Sequence, residues 1–106
     1  MQKGYQMISQ EEAVEIMKTN PDARVVDVRT EKEYKEGHIP DATLAPIEEI
    51  RKGKLDALPD KEQPLLLYCR TGRRAEDAAA ILAKEGYTDV SVFGGILEWS
   101  REVVKE

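Results

Sequence analysis

Apolar positions follow two rhythms along this chain: short, nearly continuous β-type runs, and longer stretches with an apolar residue every third or fourth place. The stretch 5–8 reads as a short strand. Ser9 stands three residues before Glu12, the spacing of a capping box, so a helix is expected from there to about Lys18, with Ala13, Val14 and Met17 as its buried stripe. Asn20, Pro21 and Asp22 make a turn. Residues 24–28 form a β-branched strand of the covered, parallel kind, and Asp27 inside it needs a partner. Thr30 caps a short polar helix, Glu31–Glu36, which Gly37 ends. His38 to Asp41 then turn the chain into a strand near 42–45.

Pro46 precedes a helix over Ile47–Arg51, with a weaker continuation to Leu58, and 59–64 is a polar loop. Leu65–Cys69 is the most apolar run and the expected central strand. Ala75, Ala78, Ala79 and Leu82 recur at helical spacing and predict a helix over 74–85, stopped by Gly86 as its C′ residue. A last strand is expected over 89–93. Gly94 and Gly95 then turn into a final helix over 96–104, with Ile96, Trp99 and Val103 along one side. Strands alternating with helices predict an α/β fold: a central parallel five-stranded sheet flanked by helices on both faces, in one domain spanning 1–106. Such sheets bind ligands at the carboxyl ends of their strands. Cys69 and Val28-Arg29 fall at two of those ends, on one edge.

Composition narrows the chemistry. With 16 Lys+Arg against 21 Asp+Glu in 106 residues, a net charge of -5 speaks against nucleic acid or anionic membrane as partner, and a monomer is expected. No apolar stretch approaches a membrane span and the first residues lack a signal-peptide core, so a cytoplasmic location is expected. One cysteine and one histidine leave no internal disulfide, no CxxC pair and no plausible cluster of zinc ligands.

The one cysteine opens the run Cys69-Arg70-Thr71-Gly72-Arg73-Arg74, which holds three of the seven arginines and joins the most apolar strand to the alanine-rich helix. A thiolate is the nucleophilic form, so a reactive site must stabilise negative sulfur. Gly72 lets the loop curl so that successive N–H groups converge, and the helix N-terminus and the arginines add positive charge. A plain buried strand cysteine is the alternative, although that role needs neither the glycine nor the cations. A phosphatase is the other competitor. Its pattern is cysteine, five residues, arginine, usually after a histidine. Here Arg74 follows after four residues, with Tyr68 before the cysteine, and the shorter loop suits a sulfur atom better than a phosphate.

Together with Val26-Asp27-Val28-Arg29, Glu33-Tyr34, Gly37-His38-Ile39-Pro40, Phe93-Gly94-Gly95 and Trp99, this loop makes the chain resemble a single-domain rhodanese, of the thiosulfate sulfurtransferase-like family. The resemblance implies that Cys69 takes a sulfane sulfur from a small anionic donor such as thiosulfate. The resulting persulfide would be held by the N–H groups of Arg70, Thr71, Gly72, Arg73 and Arg74, and the sulfur would pass to cyanide, a thiol or a protein acceptor, with no metal or organic cofactor needed. A protein-to-protein sulfur carrier and a non-catalytic binding module of the same fold stay open. Asp41 stands where the family commonly has glycine, which bears on that turn. Asp27, Arg29 and Glu33 are read as structural support, with Arg29 expected to pair with Glu33, four residues on. Arg74 is expected to close the loop, held by a carboxylate, with Arg70 and Arg73 as its charged rim and Glu76 and Asp77 in solvent. His38 is read as structural and Trp99 as core packing.

Overall fold

The computed structural model describes residues 4–106 and places five strands in one parallel sheet, in the order β1-β5-β4-β2-β3. These are β1 (Gln6–Met7), β2 (Arg24–Asp27), β3 (Thr43–Leu44), β4 (Leu65–Cys69) and β5 (Val90–Gly95). Four α-helices connect them: α1 (Gln10–Thr19), α2 (Glu31–Glu36), α3 (Ile47–Arg51) and α4 (Arg73–Lys84). Every residue of β4 is buried, as expected for a strand at the centre of the sheet. Its side chains alternate. Leu65, Leu67 and Cys69 join the core cluster that includes Ala75, Ala78, Ala79 and Leu82 of α4, while Leu66 and Tyr68 join Ala13 and Phe93 on the opposite face. Each of the three leucines contributes roughly 2 kcal/mol by leaving water.

Local signals fix the helix ends. Ser9 and Glu12 form the expected capping box at α1, and Thr30 forms a second one with Glu33 at α2. At the end of α4, Gly86 takes φ +99, its N–H reaches Ala83 O, and Tyr87 N–H reaches Leu82 O, the paired bonds of a Schellman motif. Asp41 holds φ 67, so the turn keeps a left-handed shape at the position where glycine was expected from the resemblance.

Two expectations fail. The chain past α3 forms turns rather than a helical continuation to Leu58, because Gly53 takes φ +78 and breaks the helical path. After β5 only one 3-10 turn forms (Ile96–Glu98), not a helix over 96–104. Trp99 leaves that turn extended (φ -73, ψ 119), packs its ring 5.9 Å from Phe93, and donates its indole N–H to Glu102 O. Val104 then pairs antiparallel with His38 through two backbone hydrogen bonds of 2.8 and 2.9 Å. Val103, expected on the inner side, is exposed. No helix among the described residues is long and apolar enough to cross a membrane.

Candidate active site

The central strand delivers Cys69 to the carboxyl edge of the sheet, 1% exposed, and the chain turns at once into α4. Gly72 makes that turn possible. It is the N-cap residue with φ 110 and ψ -21, left-handed backbone that a side chain disfavours. No side chain caps α4; instead the Gly72 N–H donates to Cys69 Sγ at 2.9 Å. The next N–H groups belong to the first helical turn, where no carbonyl lies four residues back to accept them, and the helix dipole puts its positive end there. Burial alone would suit an inert core cysteine. A sulfur facing the start of a helix and taking a backbone N–H is also arranged to carry negative charge.

The loop rests on the last strand. Along β4, two residues separate Leu67 from Cys69, while their partners on β5, Val92 and Gly95, are three apart, so β5 bulges where Gly94 takes φ +100. This brings Gly95 against the loop backbone. A methyl group at Gly95 would overlap the Arg70 carbonyl and lie 2.6 Å from Thr71 Cα. Just beyond, Leu97 N–H donates to Arg70 O at 3.2 Å.

Charged side chains fasten the loop from the other side. Arg74 makes a two-pronged ion pair with Glu33 of α2, at 2.8 and 2.9 Å. The Arg74 hydrogen bonds, against some opposition from burial, lower the Glu33 carboxyl to about 2. The Arg74 guanidinium is held above its ordinary range by its hydrogen bonds to Glu33, against some opposition from burial. Arg29 does not pair with Glu33. It precedes the cap of α2, off the helical spacing, and binds Asp27 instead at 2.7 to 3.1 Å, with a further bond to Gly37 O. Asp27, with no exposed surface, also accepts from the Tyr68 hydroxyl at 2.7 Å, which itself accepts Ile39 N–H. Burial, and then the bond to Asp27, raise the Tyr68 pKa well above the ordinary phenol range.

Of the residues singled out by sequence, Cys69, Gly72, Arg74 and Glu33 thus share one connected site. Asp27 and Arg29 lie in the network around Tyr68, next to the cysteine in β4. Arg70, Thr71 and Arg73 are exposed on the rim. Asp77 is exposed as expected, whereas Glu76 is half-buried. The His38 ring stacks on Tyr34 with centroids 3.7 Å apart, its Nδ1 lies 2.8 Å from Tyr34 O, and its other nitrogen faces Glu106 at 3.6 Å. Gly95 and Tyr68 emerge as supports not singled out as site residues from the sequence. The Gly94-Gly95 pair after an apolar strand was the available signal for the first. Among the described residues, no three or more His, Cys, Asp or Glu side chains gather as a metal site.

Residues 9–102 match the family model of the rhodanese-like domain. The thiosulfate sulfurtransferase PspE of Escherichia coli is 34% identical over 76% of this chain and 77% of its own length. A tRNA uridine(34) hydroxylase of Hamiltonella defensa is 38% identical over 95% of this chain, but the match covers only 30% of that longer protein. Among solved structures, a rhodanese-related protein from Thermoplasma volcanium superposes with a TM-score of 0.82 at 30% identity, covering 96% of this chain and all of the other.

Proposed function

This chain belongs to the rhodanese-like family, and on that premise we propose that it is a sulfurtransferase whose nucleophile and sulfur carrier is Cys69. The reading rests above all on one observation, the Gly72 N–H donating to Cys69 Sγ at the start of α4. In the first half-reaction the Cys69 thiolate attacks the outer sulfur of thiosulfate. The sulfur–sulfur bond of the donor breaks, sulfite leaves with the bonding pair, and Cys69 holds a persulfide anion. The terminal sulfur then meets the N–H groups of the loop and of the first turn of α4. Arg74, fixed by Glu33, keeps the loop closed, while Arg70 and Arg73 on the rim favour anionic donors. In the second half-reaction an acceptor such as cyanide or a thiol takes the terminal sulfur and Cys69 returns to the thiolate.

The test is intact-mass spectrometry after incubation with thiosulfate. One added sulfur on the wild type and none on Cys69→Ser is the expected result; no adduct, or one that survives the substitution, refutes the reading. Hydrolysis of an aryl phosphate that depends on Cys69 would assign the loop to phosphate chemistry instead.

A further inference from the structure

Beside the loop lies a groove of about 590 Å³ that Arg70 helps to line. The segment after β5 supplies its apolar surface: Ile96, Leu97, Trp99 and Val103. Leu97 is 62% exposed and Val103 42%, so two of the three exposed large apolar side chains among the described residues line this one hollow.

Charge singles out the same place. Arg29 and Arg74 are tied to Asp27 and Glu33, Arg51 to Glu48 and Asp77, and Arg24 to Gln63 and Thr43. Among the described residues Arg70, Arg73 and Arg101 have no such partner, and Arg70 and Arg101 both line the groove. Glu36 is the unpaired carboxylate in the same lining, so the groove keeps an excess of positive charge within a chain of net charge -5. Cyanide has no apolar body to bury there. A hollow of this size, with an apolar wall and three arginines against the two carboxylates of Glu33 and Glu36, fits a small organic molecule with a negative end.

We propose that this groove is the acceptor subsite and selects a low-molecular-weight thiol bearing a carboxylate. The body of the thiol lies on Leu97 and Trp99, and its carboxylate pairs with Arg101 and Arg70. The inference rests on the persulfide reading of Cys69. In the transfer, the acceptor sulfur bonds to the terminal sulfur while the bond from that sulfur to Cys69 breaks. The bonding pair returns to Cys69 as thiolate, the acceptor leaves as a persulfide, and its proton ends on the terminal sulfur. No external oxidant or reductant enters. Arg101 acts here as a specificity residue, leaving the reacting sulfurs to the loop.

The experiment loads wild type and Arg101→Gln with thiosulfate, removes the excess, and follows transfer to N-acetylcysteinylglycine and to its C-terminal amide. Both thiols draw on the same persulfide pool, so the ratio of their rate constants is independent of how much protein is folded or loaded. The expected wild-type ratio favours the acid by about two- to fivefold, the range of a partly exposed ion pair. That ratio falls towards one in Arg101→Gln and at high salt. A loaded wild type with a ratio near one, or a ratio unchanged in Arg101→Gln, overturns the subsite alone. A wild type that takes up no sulfur overturns the persulfide reading and the subsite with it.

Discussion

Gly95 offers a direct way to move the loop without touching any of its residues. An alanine there would drive a methyl group into the Arg70 carbonyl and to 2.6 Å from Thr71 Cα. Ordinary carbon contacts begin near 3.5 Å, so the loop backbone has to retreat by about 1 Å. A misplacement of that size costs about a hundredfold in rate when it shifts the groups around a reacting atom. Gly94→Ala is the matched control. Nothing lies within 4 Å of its new methyl group, but φ +100 strains any side chain. Both substitutions are expected to lower stability by about 1–3 kcal/mol, measured by urea titration. Only Gly95→Ala is expected to lower sulfite release from thiosulfate, per folded molecule, by about a hundredfold, with Gly94→Ala within about threefold of wild type. Equal losses in the two variants, or a near wild-type rate in Gly95→Ala, would refute the idea that this close approach shapes the site.

The Glu33–Arg74 pair predicts an acid-sensitive contribution to stability. Because the folded-state carboxyl lies at about 2 against 4.5 unperturbed, the contribution is complete above pH 4.5 and drains away as pH falls towards 2. The shift corresponds to about 3 kcal/mol, which solvent screening at side chains 27% and 32% exposed brings down to ~1–2 kcal/mol. In Glu33→Gln that part of the pH dependence should vanish from urea titrations between pH 2 and 5, and an unchanged acid limb would show that the pair contributes nothing. Asp41→Gly, relieving φ 67, is expected to stabilise the protein by about 1 kcal/mol, read as a raised urea midpoint; a lowered midpoint would mean that the aspartate is held there by more than backbone shape.

What could be read from the sequence was local. Ser9 with Glu12, the alanine stripe of α4 and the all-apolar β4 each carry their signal within a dozen residues, and the loop from Cys69 to Arg74 is itself contiguous. Partner choice was not readable. The four-residue spacing of Arg29 and Glu33 allowed a pair, but Glu33 serves the N-terminal capping box of α2, where Arg74 reaches it from 41 residues away. The final helix failed for a related reason. Ile96, Trp99 and Val103 satisfy helical periodicity, yet Phe93 claims the Trp99 ring and His38 claims the backbone of Val104, and tertiary contacts outweigh a weak local preference. A glycine such as Gly95 announces close approach, but what approaches it depends on the strand pairing.

The contacts that shape the Cys69 loop are mostly distant along the chain. Arg74 meets Glu33 and Tyr68 meets Asp27 across 41 positions each, and Gly95 presses on Arg70 from the last strand. Closing such long intervals costs chain entropy before any contact repays it, so structures of this kind assemble slowly and late. The shape of the loop around Cys69 therefore depends on the finished sheet. A chain still lacking β5 carries the same cysteine and arginines in sequence but not the surface that curls them together, so the reactivity proposed for Cys69 would arrive only with the completed sheet.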